Sequence, residues 1–329
     1  MPKTTPMNNE LLAYKNYIES QLNSLELPEK PNQLYHPLRY FLQIGGKRMR
    51  PILALISSQL FSGDFQKARG AAMSVELFHN FSLIHDDIMD NAPLRRGQET
   101  VHEKWNLNVG ILSGDGLLIE AYKQLEEYDG DTFKKLLVLF NKTAIEVCEG
   151  QQYDMDFETR DDVSIEEYIE MIRLKTAVLL GCSLKMGAIV GGADEDNANK
   201  IYEFGVNLGV AFQIQDDYLD SFGEGEKIGK QVGGDIIAAK KTYLLLSAYE
   251  DGNKEQIERL NDALSIENKE EKVKRVLDIF NELNIAEKTR RKMKEHHDVA
   301  ISNLDNISLD QATKKPLYSL ADFLFGREH

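Results

Sequence analysis

Two copies of an acidic DDxxD pattern carry the residues of this chain best suited to chemistry, one at 86–90 and one at 216–220. Residues four apart share one face of a helix, so Asp86 lies beside Asp90, and Asp216 lies beside Asp220. Carboxylates at this spacing repel each other by roughly 0.2–0.5 kcal/mol per pair. A pattern that carries this cost twice predicts bound cations. Hard oxygen ligands, few in number and with room left for water and phosphate, favour Mg²⁺ over zinc or copper.

Mostly apolar segments, 77–85 and 209–215, lead directly into the two acidic patterns. Such segments belong in a core, which predicts that the carboxylates point into an interior cavity. The two copies lie 216 − 86 = 130 residues apart, too far for a short structural repeat and suitable for opposite walls of one helical domain. In a chain with 54 acidic residues, a single DDxxD would as readily be a solvated helix end. The apolar segments therefore carry the metal-site interpretation.

Composition excludes several classes of protein. With 329 residues and 42% hydrophobic content, the chain can bury a large core. The net charge of −15 argues against nucleic acid or an anionic membrane surface as a partner. No apolar run is long enough to span a bilayer and the N-terminus lacks a signal-peptide core, so a soluble, cytoplasmic protein is expected. Cys148 and Cys182 are interpreted as two small buried hydrophobic residues, without a disulfide or a zinc site.

Helical periodicity recurs along the chain, and no convincing strand pattern does. Ser164 and Glu167 form a capping-box pattern at the start of one helix, and Gly191 with Gly192 ends it. The expected helices span residues 9–25, 34–44, 50–61, 66–90, 108–129, 131–157, 164–190, 194–220, 236–250, 253–264, 268–283, 286–304 and 309–325. No low-complexity linker divides them, so the chain is interpreted as a single all-α domain over residues 1–329.

Irregular segments follow both acidic patterns. The first, 91–97, contains Arg95 and Arg96. The second, 221–235, contains Lys230 and five glycines, at 223, 225, 229, 233 and 234. Mobile glycine-rich loops beside a ligand site often act as lids; a plain surface loop is the alternative.

Basic residues are scarce here, so their placement is informative. Lys47, Arg48 and Arg50 stand directly behind a Gly-Gly turn. Arginine forks and lysine point charges are the usual ligands of diphosphate oxygens. The pattern GxxxxGK[ST] has no match, which argues against a nucleotide-hydrolysing fold. Lys175 and Lys240 lie in otherwise apolar helices, where an unpaired lysine is costly, although snorkelling surface lysines are the alternative.

These motifs, in this order, resemble those of the trans-isoprenyl diphosphate synthases, also called the polyprenyl synthetase family, over residues 40–245. Ala239 replaces the family's usual glycine before Lys240, and this departure is expected to matter little. The matching segments are GGKRxRP at 45–51, the first aspartate motif with its trailing LRRG at 86–97, KT at 175–176, FQxxDDxxD at 212–220, and the late lysines Lys230 and Lys240.

The resemblance implies a single large helical bundle of the isoprenoid synthase type with a central active-site cavity. It implies a short-chain trans-prenyltransferase that joins isopentenyl diphosphate to dimethylallyl, geranyl or farnesyl diphosphate. It also implies a homodimer with no nucleic-acid partner and no stable membrane insertion.

Site residues follow from the same resemblance. Three Mg²⁺ ions per active site are implied, held by Asp86, Asp90 and Asp216 with support from Asp87, Asp217 and Asp220. The allylic diphosphate would meet Arg95, Lys175, Thr176, Gln213, Lys230 and Lys240. Isopentenyl diphosphate would meet Lys47, Arg50, His79 and Arg96, although a core histidine satisfied by a neighbour is the alternative for His79. The residues assigned to catalysis are Asp86, Asp90, Asp216, Lys175 and Lys230.

The charges indicate the reaction. Metals and cations stabilise the departing diphosphate, so the C1–O bond breaks toward an allylic carbocation. The isopentenyl double bond attacks C1, and loss of a proton leaves a chain five carbons longer. No side-chain nucleophile is needed, and in the family the released diphosphate is thought to take the proton. The carbocation requires a dry, apolar cavity.

Product length is predicted from the helix before Asp86. In the family, large side chains four and five residues before the first aspartate form a floor that stops elongation, and here those positions are Ser82 and Phe81. Ser82 leaves space one turn below Asp86, and Phe78 lies a further turn down, roughly 12 Å along the axis. One aromatic residue rather than two predicts an intermediate product, farnesyl (C15) or geranylgeranyl (C20), with C20 favoured.

Three other interpretations are open. A class I terpene cyclase carries DDxxD, but its second metal motif normally mixes Asn, Ser or Thr with Glu. An HD-type phosphohydrolase could use His85 and Asp86, but the rest of its metal set has no clear candidates. A non-catalytic regulatory subunit of a heteromeric synthase would usually lack aspartates or basic residues that this chain retains.

Overall fold

The computed structural model describes residues 6–223 and 233–325, with the side chains of 10–223 and 233–324. These residues form α-helices and one short hairpin, which confirms the all-α prediction. The helices are α1 (Pro6–Asn23), α2 (Asn32–Gln43), α3 (Met49–Ser62), α4 (Arg69–Met89), α5 (Val101–Lys104), α6 (Leu107–Lys123), α7 (Gly130–Phe157), α8 (Ile165–Ile172), α9 (Val178–Val190), α10 (Glu195–Phe222), α11 (Gly234–Ile237), α12 (Tyr243–Asp251), α13 (Lys254–Leu264), α14 (Lys269–Glu282), α15 (Ile285–Asp305) and α16 (Gln311–Phe325). The strands are β1 (Leu94–Arg95) and β2 (Gln98–Glu99), and 3₁₀ turns lie at Phe65–Ala68 and Gln124–Glu127.

Local signals explain several helix ends. The Ser164 hydroxyl accepts a hydrogen bond from the Glu167 amide at 3.1 Å, and the Glu167 carboxylate accepts one from the Ser164 amide at 2.9 Å. This confirms the predicted capping box at the start of α8. At the end of α9, Gly192 has a positive φ of 86°. The Gly191 amide there still donates to the Gly187 carbonyl at 2.8 Å, which confirms the predicted glycine stop.

Two of the expected helices are interrupted. The expected helix 164–190 contains a π-helical turn at Arg173–Ala177, between α8 and α9. The expected helix 236–250 is wrong, because α11 ends at Ile237 and α12 begins at Tyr243. Ala239 has a φ of +51°, which L residues rarely adopt. The Thr242 side chain caps α12 by accepting a hydrogen bond from the Leu245 amide at 3.4 Å.

The chain divides into two compact units. The first comprises the chain up to Asn141 together with Cys182–Asn199. Its core includes Leu77, Phe78 and Phe140, each at most 1% exposed. Glycines allow α6 to approach α4 closely: a Cβ on Gly114 would lie 2.2 Å from His85 Nε2.

The second unit comprises Lys142–Gly181 and the chain from Lys200 onward. Its core has two clusters of buried residues. The first includes Tyr168 and Ile214, and the second includes Leu244 and Phe280. One domain over 1–329 stays a prediction.

Two predictions from composition can be compared with the structure. Within the described parts of the chain, no helix is both long enough and apolar enough to cross a membrane. Cys182 is buried, as predicted, whereas Cys148 is exposed, so the prediction for Cys148 is wrong.

Candidate active site

The first acidic motif lies at the C-terminal end of α4, in the first unit. Asp86 and Asp87 belong to its last turn, and Asp90 follows the final helical residue, with its amide donating to the Asp86 carbonyl at 2.8 Å. Asp90 is exposed and Asp86 is half-buried, whereas Asp87 is only 1% exposed. The motif therefore presents its outer two carboxylates toward solvent and directs the middle one inward.

Arg95 holds the inward-facing carboxylate of Asp87. Its Nε donates to Asp87 Oδ1 at 2.8 Å and Oδ2 at 2.9 Å, and its Nη2 lies 2.6 Å from Oδ1. The β1–β2 hairpin positions Arg95, with Arg96 and Gly97 at its turn, both at positive φ as a two-residue type I′ turn requires. The predicted roles of Asp87 toward metal and of Arg95 toward diphosphate stay predictions; here the two neutralise each other.

A cationic cluster, defined as Lys47, Arg50, His79 and Arg96, also belongs to the first unit. Arg50 Nη1 lies 3.1 Å from His79 Nε2. Because arginine can only donate, Nε2 is the acceptor and the proton of the neutral ring is on Nδ1. Burial lowers the pKa of His79 well below its usual value, and the guanidinium groups of Arg50, Arg96 and Arg95 lower it further. This region therefore has a positive potential that favours an anion.

The turn at Gly46 brings Arg96 to the cluster. A Cβ on Gly46, at φ +158°, would lie 2.7 Å from Arg96 Nη1. Burial and the charges of Arg48 and Arg95 lower the pKa of Arg96. Lys47 is exposed at the edge of the same turn. A larger residue at 46 would displace the Arg96 side chain from the cationic cluster.

The residues predicted to limit product length form an aromatic row within the first unit. Phe81 packs against His85, with ring centroids 4.8 Å apart, and against Phe78 at 5.4 Å. Phe78 packs edge-on against Phe140 at 5.3 Å. The Ser82 hydroxyl donates to the His79 carbonyl at 2.9 Å. Phe81 is half-buried, so its ring is more easily changed than the buried ring of Phe78.

The second acidic motif lies in the last two turns of α10, in the second unit. Asp216 is exposed, and Gln213, three residues earlier, shares its face of the helix. Asp220 instead accepts hydrogen bonds from the backbone: its Oδ2 from the Asp235 amide at 2.9 Å, and its carbonyl from the Gly233 amide at 2.6 Å. Asp220 thus joins the end of α10 to the start of α11.

Asp217 is held by a tyrosine that the sequence did not single out. The Tyr168 hydroxyl donates a short hydrogen bond to Asp217 Oδ2. Burial, together with the charges of Asp235 and Asp216, raises the pKa of Asp217 to about 8, although the bond from Tyr168 opposes this rise. A proton or a cation near Asp217 would relieve the repulsion among these carboxylates.

The π-helical turn at Arg173–Ala177 carries Lys175 and Thr176, both half-buried. Lys175 Nζ lies 2.5 Å from Asp154 Oδ2 on α7. The backbone of the turn approaches α7 so closely that a Cβ on Gly150 would lie 2.2 Å from the Lys175 nitrogen. The turn therefore requires glycine at 150, and Asp154 pairs with its lysine.

Of the late lysines, Lys240 is described and exposed, with its Nζ 4.0 Å from Asp235 Oδ1. Lys230 and most of the predicted lid segment 221–235 lie outside the described residues.

The donor chemistry of each acidic motif fits Mg²⁺. Asp86 and Asp90 in the first motif, and Asp216 in the second, offer carboxylate oxygens at partly or fully exposed positions. Across residues 6–223 and 233–325, no three His, Cys, Asp or Glu side chains gather closely enough to hold an ion by themselves. An ion here would take further ligands from water and diphosphate, as Mg²⁺ commonly does.

Sequence reasoning missed four residues: Tyr168, Asp154 and Asp235 contact predicted site residues, and Glu76 accepts a hydrogen bond from Arg48 Nη1. Glu76 lies within an apolar helical segment, Tyr168 lies within an amphipathic one, and Asp154 and Asp235 lie among many other acidic residues. A buried-position glutamate at 76, inside an otherwise apolar run, was the one available signal, because a buried carboxylate requires a partner. The other three are recognised only from tertiary contacts.

Comparison with known proteins agrees with this geometry. The polyprenyl synthetase family model matches residues 31–283. A geranylgeranyl diphosphate synthase of Saccharolobus solfataricus is 38% identical over 327 residues, covering 98% of this chain and 96% of that protein. A geranylfarnesyl diphosphate synthase of Natronomonas pharaonis is 37% identical over 260 residues, covering 73% and 76%.

A solved structure is similar over nearly the whole chain. The crystal structure of a geranylgeranyl pyrophosphate synthase has a TM-score of 0.91 and 44% identity, covering 99% of this chain and 100% of that one. The family match and these identities show that the chain belongs to the polyprenyl synthetase family and is a prenyltransferase of the all-α isoprenoid synthase fold.

Proposed function

We propose that the chain is a short-chain trans-prenyltransferase that condenses isopentenyl diphosphate with an allylic diphosphate and releases geranylgeranyl diphosphate as its main product. The observation that carries this proposal is the distribution of charge along α4. His79, beside the guanidinium of Arg50, and Asp86 are seven residues apart on one face of the helix, about 10 Å along its axis. One helix thus presents an anion-binding region and a cation-binding end at a spacing that suits two diphosphate substrates.

The cationic cluster provides the site for isopentenyl diphosphate. Arg50 and Arg96 supply guanidinium forks for phosphate oxygens, and Lys47 adds a point charge at the exposed edge. His79 stays neutral and can donate from Nδ1, since Nε2 accepts from Arg50. This arrangement binds a diphosphate without placing a base near the isopentenyl double bond.

The aspartates provide the site for the allylic diphosphate. Asp86 and Asp90 are proposed to supply carboxylate oxygens for Mg²⁺, as is Asp216, and the number of ions stays a prediction. When bound, the ions neutralise the charge that develops on the departing diphosphate. Lys175, Thr176, Gln213 and Lys240 are proposed to contact the same diphosphate, as is Lys230. Asp87 and Asp217, held by Arg95 and Tyr168, keep the outer carboxylates in place.

The reaction needs little covalent chemistry from the protein. As the C1–O bond breaks, the bonding electrons leave with the diphosphate, and the isopentenyl double bond forms the new carbon–carbon bond at C1. The released diphosphate then takes the proton that is lost, so the product keeps one diphosphate and gains five carbons. The protein binds both anions, orients them and excludes water.

Product length is proposed to depend on Phe81. Its ring lies five residues before Asp86, roughly 7–8 Å along the helix axis, and packs against His85 and Phe78. The similar proteins include both geranylgeranyl and geranylfarnesyl synthases, so product length differs among relatives. A single aromatic ring at this depth favours C20.

The alternatives are less well supported. An HD-type hydrolase would need His85 as a metal ligand, but His85 Nε2 lies 3.1 Å from the Ile111 carbonyl, against α6. The second acidic motif keeps its aspartates, unlike that of a terpene cyclase. A regulatory subunit would usually lack aspartates or basic residues that this chain retains, and turnover by the purified chain tests this alternative directly.

The deciding experiment incubates the purified protein with isopentenyl diphosphate, Mg²⁺ and each allylic diphosphate in turn, and determines chain length by mass spectrometry. Asp86→Asn and Asp90→Asn are expected to lower turnover on the order of 100-fold or more. Asp115→Asn, at an exposed carboxylate on α6, is the control and should keep wild-type turnover. No elongation with any primer, in protein shown to be folded, would refute the enzyme assignment and favour a regulatory subunit.

A further inference from the structure

Arg48 lies in the sequence between Lys47 and Arg50 of the cationic cluster. Its side chain points into the protein and does not belong to the cluster. The residue is only 4% exposed. Its Nε donates to Glu19 Oε1 at 3.0 Å, its Nη1 to Glu76 Oε1 at 2.5 Å and its Nη2 to the Leu42 carbonyl at 2.8 Å. Each nitrogen of the guanidinium therefore donates a hydrogen bond inside the first unit.

The backbone of Arg48 is strained. Its φ of +53° and ψ of +34° place it in the left-handed region, directly before the first residue of α3. L residues hold this conformation only where the surroundings fix it. The three bonds of the Arg48 side chain supply that constraint, and they fix the backbone between Lys47 and the start of α3.

Glu76 anchors Arg48 to the helix that carries His79. Glu76 is 3% exposed, lies three residues before His79 on α4, and accepts a hydrogen bond from Asn80 Nδ2 at 3.1 Å. Asn80 Nδ2 also donates to the Glu76 carbonyl at 2.7 Å, so the carboxylate is held from its own helix. The Arg48–Glu76 pair thus connects the turn that bears Lys47 and Arg50 to the helix that bears His79.

We propose that Arg48 and Glu76 are positioning residues for isopentenyl diphosphate: their buried ion pair holds Lys47 and Arg50 in register with His79. This inference rests on the proposed function of the cationic cluster. Neither residue contacts the substrate. If the pair only stabilised the fold, apolar side chains of similar volume could replace it, often without loss of stability. If the pair positions Lys47 and Arg50, the same replacement should restore stability but not the affinity for isopentenyl diphosphate.

The test compares Arg48→Met, Glu76→Met and the double variant Arg48→Met/Glu76→Met. Arg48→Met leaves the buried Glu76 carboxylate without its cation, and Glu76→Met leaves Arg48 with Glu19 as its one remaining acidic partner, so both single variants are expected to lower Tm. The double variant should recover most of that Tm because no buried charge is left unpaired: Glu19, whose side chain is 32% exposed, can be solvated by water. Its KM for isopentenyl diphosphate should stay about tenfold above the wild-type value, equivalent to about 1.4 kcal/mol. Its KM for geranyl diphosphate should stay within about twofold of wild type, a change of under ~0.5 kcal/mol.

Lys314→Met is the control for loss of a buried cation. Lys314 is 3% exposed in the second unit and donates to the Asp305 and Ile307 carbonyls. This variant should lower Tm without raising the KM for isopentenyl diphosphate. A double variant with wild-type KM values would overturn the inference and leave the pair a purely stabilising role.

Two further variants separate failure of the inference from failure of the proposed function. Lys47→Ala and Arg50→Met remove side chains of the cationic cluster itself and should raise the KM for isopentenyl diphosphate. If they do so and the double variant does not, the inference alone fails. If they leave that KM unchanged, the assignment of the cluster to isopentenyl diphosphate fails, and the inference fails with it.

Discussion

Replacing Phe81 with alanine should lengthen the product. The side chain loses a six-carbon ring, comparable in size to one five-carbon isoprene unit. Each additional buried CH₂ group contributes about 0.8 kcal/mol, so burying one more unit contributes up to roughly 4 kcal/mol. Because about 1.4 kcal/mol corresponds to a tenfold ratio, the ratio of C25 to C20 products should rise by up to roughly 700-fold. The assay is mass spectrometry of products formed with excess isopentenyl diphosphate.

Stability must be controlled in this experiment. Phe81 makes two aromatic contacts, with Phe78 and His85, each worth ~0.5–1.5 kcal/mol, so the variant should lose about 1–3 kcal/mol of unfolding free energy. Phe65→Ala is a matched control. Phe65 is also half-buried, and it packs edge-on against Tyr14 and Tyr17, with both centroid distances 5.2 Å. The Phe65→Ala variant should lose a similar amount of unfolding free energy and should still form the wild-type product. Unchanged products from a folded, active Phe81→Ala enzyme would refute the placement of the floor.

Three other predictions concern backbone strain, metal affinity and pH. Ala239→Gly should raise the unfolding free energy by about 0.5–1 kcal/mol in urea denaturation, since relief of the left-handed strain exceeds the entropy cost of glycine; a destabilised variant would contradict this. Tyr168→Phe should raise the Mg²⁺ concentration for half-maximal turnover roughly 10- to 100-fold by freeing Asp217, and Tyr249→Phe, which removes an exposed hydroxyl, should not. Because the folded pKa of His79 is lowered, its contribution to stability is present above the unfolded pKa of about 6.5 and is lost as the pH falls below it. We therefore expect the difference in unfolding free energy between wild type and His79→Gln to fall from pH 7 to pH 5. A difference that does not change with pH would show that His79 titrates normally.

The motifs that bear chemistry were predictable because their residue types and spacing are local properties. The DDxxD patterns could be placed at helix ends from the apolar segments before them, and the capping box of α8 from Ser164 and Glu167 alone. The all-α fold followed from periodicity. Each of these features depends on residues within a few turns of one another.

Features that depend on tertiary contacts were not predictable in the same way. Sequence spacing gives no sign that Arg95 pairs with Asp87, or that Tyr168 reaches Asp217 from 49 residues away. The break between α11 and α12 was missed because Ala239 reads as a good helix former, whereas the structure places it in a left-handed turn. Arg48 was grouped with Lys47 and Arg50 by its charge, although its side chain is buried and paired with Glu19 and Glu76.

The π-helical turn at Arg173–Ala177 determines how this part of the polypeptide tolerates the deletion of a residue. A π-helical turn holds one residue more than the α-helix it interrupts. Deleting a single residue there would let α8 continue into α9 as a regular helix. The side chains of α9 would keep their directions, because the deletion removes only the extra residue, whereas the side chains of the turn itself would shift and Lys175 would lose its alignment with Asp154. The shortened chain would gain a more regular helix and lose a site residue, so this segment should tolerate substitutions far better than deletions.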